Sequence, residues 1–212
     1  MKKVLIAVLL GVVCLGAGSR TQAQGFPQTP AKTETKQEDE TNLETHLFLI
    51  VATNQEAADS KLPTALDPVA KQLRATLPFK NYRLVSTLIN RVKNDGGLKL
   101  NWVGAPMTSV AATAPTTPSF NHFNIRQVRL VRDSDGQQMI QMANFSFGAR
   151  VPIQMGAIAA TGEVRPTTSY EQTGLGTDIS MREGEPVIVG TLNVGPSGDA
   201  IILVVSAKRA QK

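Results

Sequence analysis

The run Ala200–Ala207, AIILVVSA, decides the fold of this chain. Both alternating sets of its side chains are apolar, so as a strand it has no wet face. Such a strand lies centrally in a sheet that is covered on both sides. The residues before it, Gly195-Pro196-Ser197-Gly198, form a turn, and Pro186–Leu192 (PVIVGTL) is a second dense apolar strand. Glu183-Gly184 is another turn, and Thr167–Arg182, which contains SYEQTGLGTDISM (Ser169–Met181), is a strand interrupted at Gly174 and Gly176. Met155–Pro166 is a weaker, small-residue stretch. Upstream, Met139–Val151 alternates, with Met139, Ala143, Phe145, Phe147, Ala149 and Val151 on one face, until Pro152 breaks it. Asp133-Ser134-Asp135-Gly136 is a turn, and Phe123–Arg132 is a strand.

The first half mixes periods. His46–Thr53 (HLFLIVAT) is a buried strand, and structure begins there. Asp67 is placed as a helix N-cap, with Pro68 at the first helical position, where its missing N–H costs nothing. Ala70, Leu73 and Leu77 form one stripe, Lys71 and Arg74 form the wet side, and Pro78 stops the helix. Tyr82, Leu84, Ser86, Leu88 and Val92 share a period-two face. Lys93-Asn94-Asp95-Gly96-Gly97 is a turn whose glycines supply positive φ, and Leu98, Leu100 and Trp102 alternate on the returning strand. The expected class is α+β, mostly antiparallel β: a small β-α-β-β unit followed by a β-rich region.

The amino terminus has the grammar of a secretory signal peptide. Basic Met1-Lys2-Lys3 precedes the apolar run Val4–Gly18 and a small-residue cleavage site at Thr21-Gln22-Ala23. The run is shorter than the roughly 20 residues of a spanning helix. Cys14, the one cysteine, follows Gly11-Val12-Val13, without the small residue that lipid attachment wants just before it. Its removal with the signal leaves no thiol for a disulfide or thiolate metal site. Loss of Lys2, Lys3 and Arg20 takes the basic count from 22 to 19 against 17 acidic residues, a net charge of about +2, which argues for no nucleic-acid partner. The expected boundaries are a signal peptide at 1–23, a polar flexible linker at 24–44, the β-α-β-β unit at 45–106, a connector at 107–119 and the β-rich region at 120–208. Whether the last region shares one core with 45–106 stays open at this level.

Chemistry is sparse. His46 and His122 have no second ligand at metal spacing. Asp133, Asp135 and Gly136 lack the ligand series of a calcium loop. TGLGTD has no Lys-Ser/Thr after its glycines, so it is not a phosphate loop. Asn144-Phe145-Ser146 fits a glycosylation triplet but lies mid-strand. Arg126, Arg129 and Arg132 make no single basic patch on a strand. No nucleophile elbow is present. No catalytic residue, cofactor or metal follows from these residues, and the expectation is a protein that is not an enzyme.

FGARVPI (Phe147–Ile153), a loop, and then SYEQTGLGTDISM together resemble the core of bacterial secretins. These are the ring-forming outer-membrane channels of type II and type III secretion and type IV pili. Gly148, Arg150, Pro152 and Ile153 match that family's Gly-x-Arg-x-Pro-Ile/Val step, and Tyr170, Gly174 or Gly176, Thr177 and Ile179 match the segment that follows it. The resemblance spans about Phe123–Ala207 and implies structural roles: glycines where strands bend, and Pro152 where a ladder ends. Only one small unit precedes this region, and the aromatic lip and terminal aromatic of an outer-membrane barrel are absent from the sequence. The resemblance therefore implies a short, incomplete, secretin-like exported envelope protein, periplasmic or associated with the outer membrane of a bacterium. It would act by self-assembly or by strand-edge binding of a protein partner from a secretion or pilus system, with no transmembrane helix in the mature chain. The alternative is a monomeric periplasmic small-ligand or carbohydrate-binding module that stacks its ligand on Tyr82, Trp102 and Tyr170.

Overall fold

The computed structural model describes residues 41–55, 62–104, 107, 117–158, 164–194 and 198–211. The signal peptide with Cys14, the linker as far as residue 40, the turn residues 195–197 and most of the 107–119 connector lie outside them. The elements are β1 (Asn42–Thr53), a 3-10 turn at Thr64–Leu66, α1 (Asp67–Thr76), β2 (Asn81–Lys93), β3 (Leu98–Gly104), β4 (Ser119–Ile125), β5 (Gln127–Arg132), β6 (Gln138–Ile158), β7 (Val164–Arg182), β8 (Val187–Val194) and β9 (Asp199–Arg209). All ladders are antiparallel. One sheet has the order β2-β1-β9-β8. In the other, β3-β4-β6-β5 is extended by β7, which pairs with β6.

The two sheets face each other across an apolar cluster. Leu47, Leu49, Ile201 and Leu203 come from the four-stranded sheet; Phe123, Ile140, Phe145 and Phe147 come from the five-stranded one. A second cluster fills the other side of the four-stranded sheet, where Leu66, Val69 and Leu73 meet Ile50, Ile202 and Val204. β9 is thus buried on both faces, as the composition of AIILVVSA requires. Among the described residues nothing covers the far face of the five-stranded sheet in this way, and Phe120 and His122 are exposed on it.

Local expectations change in specific ways. β1 begins at Asn42, inside the expected linker, because Leu43 is fully buried between Val92 and Arg209 on its two neighbours. Asp67 is the first helical residue and not the N-cap. That position belongs to Leu66 at the end of the 3-10 turn, which makes no side-chain cap, and Asp67 adds its negative charge to the first turn. The single face read for β2 is split by a bulge at Val85, since Leu49 opposes Ser86 while Ile50 opposes Leu84. Tyr82 and Leu84 therefore pack toward α1, whereas Leu88 and Val92 face the other sheet.

In the 93–97 turn the positive φ belongs to Asp95, at 64°. Gly96 and Gly97 serve close approach instead: a Cβ on Gly97 would stand 2.6 Å from the Arg126 carbonyl oxygen. β3 does not return along β2. It crosses to the second sheet and pairs with β4, so β-α-β-β describes chain order and not one sheet. The strand read at Phe123–Arg132 is two strands broken at Arg126, each laid on a different stretch of β6. β6 does not stop at Pro152 but runs to Ile158, and β7 passes Gly174 and Gly176 without interruption. The alternation along β6 inverts at a bulge, where Ala143 and Asn144 together oppose Asp178. Asn144 takes φ 50°, and its N–H donates to Asp178 Oδ1 at 2.6 Å. Ile140 and Met142 are buried before the bulge, Phe145 and Phe147 after it, so Met139 and Ala143 are off the core face.

Candidate functional site: the outer face of the five-stranded sheet

The residues of the secretin-like motif lie on one hairpin, β6–β7. Gly148 pairs with Gly174, Pro152 with Tyr170 and Ile153 with Ser169; Gly176, Thr177 and Ile179 oppose Ser146, Phe145 and Met142. At Gly174 a Cβ would stand 2.6 Å from the Phe147 carbonyl oxygen, so the glycine permits the two strands to approach. Pro152 lies just beyond Arg150, the last β6 residue paired to β4. There β6 no longer has β4 as a neighbour and a missing N–H costs little.

Two cross-strand rows occupy the outer face. Val103, Phe120, Arg150 and Gln172 form one, on β3, β4, β6 and β7 in that order; Asn101, His122, Gly148 and Gly174 form the next. The first row is large and the second ends in two glycines, which leaves a groove of about 380 Å³. Val103 is 63% exposed and Phe120 43%, an apolar presence on a solvent-facing sheet. The Phe120 and Tyr170 rings stand 5.6 Å apart at 53°, and the Tyr170 hydroxyl donates to the Pro118 carbonyl at 3.2 Å. Arg150 sets its guanidinium carbon 5.6 Å from the centre of the Tyr170 ring, and among the described residues no carboxylate pairs with it.

Tyr82, Trp102 and Tyr170 do not share a surface. Tyr82 is buried under α1 with its hydroxyl donating to the Leu73 carbonyl at 3.1 Å, and burial pushes its phenol up. Trp102 turns inward, its ring 6.3 Å from that of Phe147. Only Tyr170 reaches the outer face. Sequence reasoning missed Phe120 and Val103, whose signal was an apolar residue out of phase with the core-facing set of its own strand.

The two histidines are far apart in role. His46 Nε2–H donates to Glu44 at 2.9 Å, and Lys208 lies 3.4 Å from the same oxygen. The hydrogen bond from His46, with help from Lys208, holds the Glu44 carboxyl below its ordinary value. His122 lies over Gly148. Among the described residues no group of three or more His, Cys, Asp or Glu could hold a metal ion. The Asp133 carboxylate accepts the N–H groups of Asp135 and Gln137, both at 2.9 Å, which is the chemistry of a closed turn. Arg129 pairs with Asp95 at 2.6 Å, while Arg126 and Arg132 are exposed.

No family model matches the sequence. No curated protein matches it either. Among solved structures the chain is similar to secretins. The secretin-domain β-barrel of InvG from the Salmonella SPI-1 injectisome aligns at 11% identity and a TM-score of 0.38, over 81% of this chain and 64% of that one. A near-atomic cryo-EM structure of InvG aligns at 9% identity and a TM-score of 0.38, over 81% and 65%. The Vibrio cholerae type IV competence pilus secretin PilQ aligns at 12% identity and a TM-score of 0.33, over 81% and 59%. The chain spans less than two thirds of the length of each, and at these scores the superpositions carry no functional argument.

Proposed function

We propose that this protein is a non-enzymatic component of a bacterial cell envelope that works by joining its sheet edges to protein: copies of itself or a component of a secretion or pilus system. The observation that carries the reading is β7. It is 19 residues long and pairs only with β6, so its other edge presents a row of backbone groups without a strand partner among the described residues. Contrast β5, whose outer edge is filled by the 93–97 turn. Asp95 N–H donates to Val128 O, Val128 N–H donates to Gly96 O, and Leu130 N–H donates to the Asn94 side chain, each at 2.8 Å. A protein that covers one edge and leaves a longer one open has a template for β-augmentation. β3, at the opposite margin of the same sheet, pairs only with β4 among the described residues and offers a second edge. No helix of the described residues is long and apolar enough to cross a membrane.

The test is the native mass of the protein extracted gently from its own envelope, with a photo-crosslinking residue placed at exposed Ser180 on β7. A uniform ring or a stoichiometric complex, crosslinked through position 180, is expected. A monomer that crosslinks to nothing overturns the reading.

A further inference from the structure

We infer that the groove on the outer face of the five-stranded sheet binds the carboxyl terminus of a peptide whose last side chain is apolar. This is a face and not an edge, so the inference is independent of strand-edge assembly.

Charge comes first. Among the described residues Arg150 has no carboxylate partner, and none with an acidic side chain lines the groove. A guanidinium is a fork of donors matched to the two oxygens of a carboxylate. Here it is aimed before any ligand arrives. The Tyr170 ring holds it by cation–π contact, and Tyr170 is itself fixed by its bond to the Pro118 carbonyl and by Phe120. A positioned, unpaired cation has little ordering entropy left to lose on binding.

Apolar surface lies in the same row. Phe120 and Val103 are next to Arg150 in order across the strands, and both are substantially exposed. One apolar side chain seated there would lie a strand spacing or two, about 5–10 Å, from the guanidinium. That matches a terminal residue, which carries its carboxylate and its side chain on one carbon. The amide side chains of Asn101 and Gln172 line the groove at its two margins, suited to a peptide backbone. Size also decides. A groove of about 380 Å³ stands at the small end of the roughly 300–1,000 Å³ that ligand pockets occupy, which suits the end of a chain better than a strand running through.

The experiment uses the full chain and calorimetric titration with acetyl-Gly-Ala-Phe, its C-terminal amide, and acetyl-Gly-Asp-Phe-amide. Saturable binding of the free-acid peptide is expected, at least tenfold tighter than either amide. R150Q should lose at least tenfold for the acid and little for the amides, and R150K should fall between. Arg150 is exposed, so R150Q is expected to fold. If it does not, the acid-against-amide comparison on the unmodified protein decides alone. Equal affinity for acid and amide, or no saturable binding, overturns the proposal. Preference for the internal aspartate peptide overturns the assignment to a chain end. A groove that fails these tests in a protein that still assembles refutes this inference and leaves the edge reading intact.

Discussion

The imidazole of His122 occupies the space that a Cβ at Gly148 would need, while the Cβ that Gly174 lacks would meet backbone. These two paired glycines therefore differ in kind. His122 is exposed and can swing away, whereas the Phe147 carbonyl, 2.6 Å from the position of that Cβ, belongs to a strand with partners on both sides. Gly148→Ala should cost less than Gly174→Ala, because only the His122 ring has to move, while shifting the His122 ring resonances. Gly174→Ala should cost about 1–3 kcal/mol, because backbone must move. Denaturant melts of the two variants check the order, and equal losses would contradict it.

At the β6 bulge, Asn144 tolerates a left-handed backbone that a branched side chain resists. Asn144→Val should cost about 1–2 kcal/mol, and Asn144→Gly far less. Asp178→Ala, which removes the acceptor of the Asn144 N–H, should cost about 1–3 kcal/mol, since that acceptor is charged. The two positions are coupled, so the double variant Asn144→Gly/Asp178→Ala should lose less than the sum of its parts.

Tyr82→Phe tests a buried hydroxyl. The Leu73 carbonyl that it contacts also accepts the Leu77 N–H at 2.8 Å, so removing the hydroxyl leaves no orphaned acceptor. The loss should stay near 0.5–1 kcal/mol. Peptide binding at the outer face should be unchanged.

Acid sensitivity follows from Glu183. Burial raises its carboxyl, but hydrogen bonds from the Arg209 side chain and backbone outweigh this and hold it below 4.5. A depressed folded-state value means the stabilisation is full above 4.5 and is lost as pH falls through the lower, folded value. Glu183→Gln should therefore be less stable than the parent at pH 7, with the gap closing in acid. A gap that persists unchanged at pH 3 would place the effect in packing instead.

How much of this could be read from the residues depends on parity. β9 was legible because both of its faces are apolar, and the stripe of α1 because Ala70 and Leu73 are spaced for it, although the helix starts one residue before Pro68. The order of turns was legible at Gly136 and Gly184, whose φ values are +77° and +80°. What stayed hidden follows from single residues. Val85 and Asn144 each add one position and invert every face beyond them, and no composition rule marks Val85 as different from its neighbours. The crossing of β3 to the other sheet was hidden because a turn with two glycines reads the same whether it folds back or passes over. On the outer face, the cluster of Phe120, Arg150 and Tyr170 needs three strands in register before it exists.

The pairing of β1 with β9 has a kinetic side. Ala52 lies opposite Ala200, and Leu43 opposite Arg209, so the first and last of the described strands are joined. As the chain emerges from its amino end, β1 must wait for nearly every other residue before its central ladder can form. Long-range pairing of this kind slows folding and leaves apolar strands open to the wrong partner meanwhile. A stop codon that removes β9 would take the middle out of the four-stranded sheet, and β1 and β8 would lose their common neighbour. Such a product should be cleared or aggregate rather than persist as a shortened protein.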